Sequence, residues 1–156
     1  MKTSISSLVA AVASNKQAIN LQSANALIAC IQKKAQSLGL NVVCAVSDAH
    51  GNPISVQSMD DAYIASYDVA LNKAFTVVAL KMSTIDLKPL AQPGGSLYGI
   101  QFTNNGKIVI FGGGVPLYNN KGVIVGGLGV SGGSEEQDTA LAHFGGELFT
   151  QVCKNL

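Results

Sequence analysis

The sequence predicts one α+β domain, in which helices flank a mainly antiparallel sheet. Two kinds of observation support this class. Three long segments carry apolar residues at helical spacing, and short runs rich in β-branched residues, separated by turn residues, lie between them. Along the chain the order is helix, two strands, helix, irregular segment, two strands, helix. Consecutive strands joined by short turns form antiparallel hairpins, so this order favours two hairpins in one sheet.

The first long helix is predicted over residues 21–38. Asn20 is a suitable N-cap, and Gly39 marks the end of the helix. One apolar stripe runs along it, which is typical of a helix that packs on a core. The stripe consists of Leu21, Ala24, Leu27, Ile28, Ile31, Ala35 and Leu38.

A hairpin follows this helix. Residues 41–47 form an apolar run that predicts a buried strand, and residues 54–59 alternate as a half-buried strand does. The segment between them contains Asp48, His50 and Gly51, residue types that favour a turn. His50 is therefore expected in an exposed turn.

The second long helix is predicted over residues 62–82, with Asp60 or Asp61 as its cap. Its buried stripe places Lys73 among small and apolar neighbours, where the ammonium needs water, a carboxylate or an anionic ligand. Lys73 then either binds the propionate, carboxylate or phosphate of a ligand, or stabilises the fold by reaching solvent or pairing with Asp60 or Asp48. The stripe consists of Ala62, Ser66, Ala70, Lys73 and Val77.

Two glycine clusters dominate the C-terminal part. Strands are predicted at residues 108–111 and 122–125, each leading into a cluster, with a tight turn between them. This predicts a hairpin with glycine edges, because glycine allows a close approach of backbone to a neighbour. No helix start follows the first cluster, which favours close contact over phosphate binding. That cluster consists of Gly112, Gly113 and Gly114.

The last helix is predicted to begin after Ser134, with Gln137 at the capping-box position. At the other end of the chain, residues 1–18 are interpreted as an amphipathic extension to a domain of residues 19–156. Its apolar positions are spaced as on one helical face, although a signal peptide, and hence secretion, is the alternative. Those positions are Ile5, Leu8, Val9 and Val12.

Composition excludes several classes of function. The 156 residues are 47% hydrophobic and only 12% charged, which predicts that surface is buried between copies in a homo-oligomer. The formal charge of +1 gives no basic footprint for nucleic acid, and no apolar run is long enough for a membrane span. The three separated cysteines favour a reducing cytoplasm. Phosphate-binding loops, dinucleotide fingerprints and nucleophile elbows do not occur.

An ordered set of residues resembles the GlcG/HbpS-like family, which includes the C-terminal domain of PduO and stand-alone proteins encoded beside glycerol and diol dehydratases. The resemblance covers about residues 20–153. It rests on Asp48 and Gly51, Met59, Asp60 and Ala62, Ser66, Lys73 and Ala74, Gly112, Gly113, Gly114 and Pro116, Gly129, Val130, Ser131, Gly132 and Gly133, and Gln137 and Asp138.

The resemblance implies a profilin-like sheet with flanking helices, assembly into dimers to octamers, and haem binding, with a role in haem handling, haem degradation or corrinoid metabolism. The adenosyltransferase activity of PduO belongs to its other domain and is not expected. A terminal helix such as that predicted in residues 1–18 resembles the peptides that target enzymes to microcompartment shells. Packing on its own oligomer is the competing interpretation.

The resulting hypothesis is an oligomeric accessory protein that binds haem, another tetrapyrrole or a small anionic ligand. His50 is the candidate iron ligand, and His143 a second one. The other candidate ligand-binding residues are Lys73, Asp60, Ser66, Asp48, Gly112, Gly113 and Gly114. Two alternatives stay open: a small redox or acid/base enzyme that uses Lys73, and a non-catalytic accessory of a metabolic complex or microcompartment.

Overall fold

A computed structural model describes residues 2–14 and 19–156 of the chain. The elements follow the predicted α+β order, with the predicted N-terminal helix in the first position and one helix that was not predicted after the third helix. They are α1 Lys2–Ser14, α2 Leu21–Ser37, β1 Val43–Asp48, β2 Pro53–Ser58, α3 Ile64–Leu80, α4 Thr84–Leu90, β3 Gly114–Tyr118, β4 Ile124–Ser131 and α5 Glu135–Lys154, with two short 3₁₀ turns at Ile100–Phe102 and Asn104–Gly106.

The four strands form one sheet in the order β2-β1-β4-β3, and each neighbouring pair is antiparallel. Both predicted hairpins are therefore present, and β1 of the first pairs with β4 of the second. This arrangement makes β2 and β3 the two edges of the sheet.

Helices cover both faces of the sheet. The larger core lies between the sheet and α1, α2 and α5, while α3 alone forms a smaller core on the opposite face. Small residues of α3, Ala70 and Ala74, contact Val43 and Ala45 of β1 there. The predicted stripe of α3 is confirmed, because Ser66, Ala70, Lys73 and Val77 are buried and Ala62 is half-buried.

The strand boundaries predicted for the glycine-rich hairpin are wrong. The first strand begins at Gly114, and residues 108–111 instead run beside α3, where the Val109 N–H donates to Thr76 Oγ1 at 3.0 Å. The second strand extends to Ser131 and contains glycine within it. A Cβ on Gly129 would lie 2.0 Å from the Ala70 carbonyl oxygen, so α3 lies too close to β4 for any side chain.

Two predicted helix caps are confirmed and one is wrong. The Asn20 side chain accepts from the Ser23 N–H, and Ser134 forms a capping box with Gln137. Neither Asp60 nor Asp61 caps α3; its N-cap is Tyr63, which makes no side-chain capping bond. The chain instead turns at Asp61, which has a positive φ of 63°.

Helix α4 was not predicted, because Pro89 and the glycines that follow it are residue types typical of an irregular segment. Ser83 caps it by accepting from the Asp86 N–H, and the Asp86 carboxylate lies 2.6 Å from the Ser83 hydroxyl. A serine followed three residues later by an acid was the available signal.

Helix α1 packs on its own chain. Leu8, Ala11 and Val12 are fully buried against the larger core, whereas Val9 is partly exposed. The predicted helix is present within the described residues 2–14, and the remainder of the predicted extension, residues 15–18, lies outside them.

Candidate functional site

Lys73 is bound entirely by groups of its own chain. Its side chain is 0% exposed, and Nζ donates to the Val130 carbonyl oxygen at 2.8 Å and lies 3.3 Å from Asp138 Oδ2. The Phe111 ring covers it, with its centroid 5.0 Å from Nζ. Helix α3 crosses β4 at the glycines of that strand, so Lys73 of α3 reaches Asp138 at the start of α5. The contacts of Lys73 therefore join α3, β4 and α5.

Burial opposes the charge on both members of this pair. Desolvation lowers the pKa of Lys73, and the nearby Asp138 carboxylate partly offsets that shift. Desolvation likewise raises the pKa of Asp138, against the effect of Lys73 and of hydrogen bonds from the Gly133 and Gly132 N–H groups. The pair therefore depends on both partners being present.

The glycine triplet lies against this pair and against α4 and α5. A Cβ on Gly113 would lie 2.5 Å from Lys73 Nζ, and one on Gly112 would lie 2.1 Å from Thr139 Oγ1. The Gly114 N–H donates to Thr84 Oγ1 at 2.9 Å. The triplet therefore permits close contact at a point where three elements meet, as one of the two sequence interpretations expected.

A second ion pair, between Lys88 and Glu135, contacts the glycine triplet. Glu135 at the start of α5 contacts Lys88 of α4, and its other carboxylate oxygen accepts from the Gly112 N–H at 3.3 Å. The hydrogen bond from Lys88 is the main cause that lowers the pKa of Glu135. This carboxylate thereby connects α4, the glycine triplet and α5.

The other candidate residues do not converge on Lys73. Asp48 lies in the β1–β2 turn, where it accepts from the backbone N–H groups of His50 and Asn52, and Asp60 is exposed. The predicted pairing of Lys73 with either aspartate is therefore wrong, because Asp138 takes that place. Ser66 is buried on the stripe of Lys73 and is hydrogen-bonded to Ser131, with 3.1 Å between the hydroxyl oxygens.

A cavity lies away from Lys73, beside the sheet edge formed by β3. This β3 groove has a volume of about 500 Å³ and is bounded by the end of α3, the start of α4, strand β3 and helix α5. Its apolar floor is formed by Met82, Val115, Pro116 and Gly146. Its charged or titratable rim is formed by Lys81, Asp86, His143, Glu147 and Lys154.

The spacing of residues on α5 creates this groove. His143 and Glu147 lie one turn apart on one side of the helix, and Gly146 between them presents no side chain to the floor. A Cβ at Gly146 would lie 3.0 Å from Val115 Cγ2. Sequence reasoning ranked His143 below His50, although a glycine three residues after a histidine on a helix was a usable signal for an open face.

Residues 2–14 and 19–156 contain no group of three or more histidine, cysteine, aspartate or glutamate side chains that could hold a metal ion. The three cysteines are buried, and burial raises the pKa of the Cys44 thiol to about 12. Among the same residues no helix combines the length and hydrophobicity that crossing a bilayer requires.

Comparison with known proteins places the chain in a family. The family described as "haem degrading protein HbpS-like" matches residues 19–146. A 15.0 kDa protein of Citrobacter freundii, encoded in the dhaT–dhaS intergenic region, is 42% identical over 134 residues, which are 86% of this chain and 94% of that protein.

Two further relatives connect the chain with PduO. The corrinoid adenosyltransferase PduO of Salmonella typhimurium is 44% identical over 110 residues, which are 70% of this chain but only 32% of that protein. The crystal structure of a PduOC–haem complex superposes with a TM-score of 0.79 and 39% identity, and covers 84% of this chain and 94% of that one. With the family match over residues 19–146, these similarities show that the chain belongs to the family described as "haem degrading protein HbpS-like".

Proposed function

We propose that this protein binds haem or a related tetrapyrrole in the β3 groove and acts as an oligomeric accessory protein. The observation that carries the proposal is the groove itself, which combines an apolar floor with a histidine, two lysines and two acidic residues at its rim. Its volume of about 500 Å³ lies within the usual range of ligand pockets. The haem in the PduOC complex supports this choice of ligand class.

The lining residues have the donor types that haem requires. His143 supplies an imidazole, a common protein ligand of haem iron, and Met82 and Tyr118, whose side chains are also of ligand types, line the same groove. Lys81 and Lys154 supply cations that would pair with propionates or with another small anionic ligand. The apolar floor would remove the macrocycle from water.

The alternative location beside Lys73 is less suitable. The Lys73 ammonium is fully buried and its charge is compensated by Asp138, so a ligand would reach it only if the Phe111 ring moved. His50 lies in the exposed turn between β1 and β2, which are separated from β3 by β4, and its backbone N–H is bound to Asp48. We therefore place the ligand beside His143.

A hemin titration tests this function. Wild-type protein should develop a Soret band that saturates at a fixed ratio of hemin to chain, and His143→Ala should shift that band and weaken binding. His50→Ala is the matched control, because it removes the other exposed histidine, and it should leave the titration unchanged. No saturation, or equal effects of the two variants, would refute the assignment of the groove.

Iron-free protoporphyrin IX separates haem from a more general anionic ligand. If the lysines and the apolar floor carry most of the affinity, protoporphyrin should compete with hemin and should bind the His143→Ala variant as tightly as the wild type. If only small carboxylates or phosphates compete, the groove is an anion site and the tetrapyrrole assignment is wrong.

A role beside diol or glycerol metabolism is part of the proposal. It is supported by the dhaT–dhaS location of the Citrobacter relative and by the similarity to PduO. Co-purification from the native host tests it: enzymes of such a pathway should be enriched with the tagged protein relative to a tagged unrelated protein. Absence of that enrichment would refute the role in diol or glycerol metabolism, while the proposal that the groove binds a ligand would stand.

A further inference from the structure

The rest of the molecule makes different contacts with the two edges of the sheet. At β3 the Gly114 N–H is bound by Thr84 of α4, and the Tyr118 carbonyl accepts from Thr150 of α5 at 3.3 Å. Pro116, in the middle of β3, has no N–H to offer. This edge is therefore blocked against further strand pairing.

Among the described residues, no strand pairs with the outer edge of β2. The Met59 N–H donates to the Val42 carbonyl at 3.0 Å, and antiparallel partners alternate between bonded and non-bonded pairs. Ser55 and Gln57 therefore bond to β1, and the backbone groups of Val56 and Ser58 point away from the sheet. Strand β2 contains no charged residue, and its one proline, Pro53, is at its first position, so neither charge nor proline protects the middle of this edge.

An exposed apolar cluster lies beside this edge. Tyr63 is 73% exposed, Ile64 is 96% exposed and Tyr67 is 49% exposed, all at the start of α3. Val56 of β2 and Ala62 pack in the same small core, which places this end of α3 against the strand. We call these three side chains the α3 apolar cluster.

We propose that β2 pairs with β2 of a second copy in antiparallel orientation, which extends the sheet across a two-fold axis to eight strands. Antiparallel self-pairing is an isologous contact, so both copies use the same surface. This inference gives the proposed assembly a specific interface, and it does not depend on haem, because the β3 groove lies at the opposite edge of the sheet.

Charge suits a second copy as the occupant, and the exposed side chains at this edge supply part of the area that such an interface buries. Pairing centred on Val56 brings no like charges together within the strands, and it places the Asp60–Asp61 turn of one copy beside the His50–Asn52 turn of the other. The two tyrosines expose roughly 250 Å² of aromatic side chain, and a standard interface buries about 800 Å² per partner. Ile64 and the edge of a six-residue strand supply further area.

Light scattering on matched variants tests the interface. The double variant Ser58→Lys/Ile64→Lys changes two exposed side chains at this edge and should reduce the mass of the assembly by about half. Val123→Lys is the control, because Val123 is also an exposed apolar residue but lies in the β3–β4 turn. It should leave the mass unchanged. A monomeric wild type at micromolar concentration, or an unchanged mass for the double variant, would overturn the proposal.

Hydrogen exchange tests the same contact without relying on a substitution. The amides of Val56 and Ser58 should exchange slowly in the wild-type assembly, although each faces away from its own sheet, and should exchange faster in the double variant. Equally fast exchange in both proteins would contradict strand pairing. Hemin titration of the same variants separates the two proposals, because loss of the interface should leave hemin binding to the β3 groove intact.

Discussion

Replacement of Lys73 by methionine tests the buried ion pair that joins α3, β4 and α5. Methionine retains most of the aliphatic volume but removes the ammonium that lies 2.8 Å from the Val130 carbonyl and 3.3 Å from Asp138 Oδ2. The Asp138 carboxylate, whose side chain is 6% exposed, would then be buried without a counter-charge. Breaking a buried pair in this way costs about 3–5 kcal/mol.

This loss is large relative to the stability of a domain. Native proteins are stable by about 5–15 kcal/mol. For a chain of this size, each kcal/mol shifts the melting temperature by about 2–4 °C, so Lys73→Met should melt roughly 6–20 °C below the wild type. Urea unfolding followed by circular dichroism measures the free energy directly. Hemin binding should be unchanged when it is measured well below the melting temperature, because Lys73 does not line the β3 groove.

A double-mutant cycle identifies the pair as the cause. Asp138→Asn should lower the free energy of unfolding by a similar amount, because it leaves the Lys73 ammonium unpaired. The double variant should lose less free energy of unfolding than the two single variants together, with a coupling energy of about 2–3 kcal/mol. Single losses below about 1 kcal/mol that simply add would refute the reasoning.

The pH dependence of Asp138→Asn adds an independent check. Burial lowers the pKa of Lys73 in the folded chain below its ordinary value of 10.5, so the unfolded chain holds that proton more tightly. Stability should therefore rise with pH in the alkaline range up to about 10.5, where the folded chain has already lost the proton. A stability that falls through this range would contradict a buried amine at this position.

Three further predictions concern the contacts that position the helices. Gly129→Ala should lower the free energy of unfolding, measured with urea, by at least about 3 kcal/mol, because the new Cβ would lie 2.0 Å from the α3 backbone. A Cβ at Gly122 would meet nothing within 4 Å, so Gly122→Ala should lower it by only about 1–2 kcal/mol. Glu135→Gln should lower the free energy of unfolding by up to about 1 kcal/mol at neutral pH. Since the pKa of the carboxylate is lowered, the difference in stability between the variant and the wild type should disappear as the pH falls below 4.5. A difference that persists at low pH would disprove the ion pair as its cause. Leu8→Asp should reduce the melting temperature, because Leu8 is fully buried on its own chain. If α1 serves only this packing, residues 1–18 fused to a fluorescent protein should remain diffuse in a microcompartment-forming host, and localised fluorescence would favour targeting instead.

The parts of the fold that were predictable depend on local sequence signals. Asn20 and Ser134 mark helix starts through bonds to residues three positions away, so their effect can be read from adjacent sequence. The predicted boundaries of α3 and of the strands in the second hairpin were wrong for the same reason, because tertiary contacts determine where these elements begin and end. Gly129 lies within a strand, against its usual preference, because α3 crosses directly above it.

The site was less predictable, because its contacts span long distances in sequence. The burial of Lys73 followed from the stripe on α3, but its partner Asp138 is 65 residues away and could not be chosen over Asp48 or Asp60 by spacing. The β3 groove likewise combines the end of α3, an edge strand and α5, and only the tertiary structure shows that His143 faces it.

The position of iron in crystals grown with hemin tests the central claim most directly. Anomalous scattering at the iron absorption edge locates the metal without assumptions about the ligand. The account predicts iron within bonding distance of a nitrogen of His143, with the macrocycle against Met82, Val115 and Pro116. Iron bound at His50, or at any position outside the β3 groove, would contradict it.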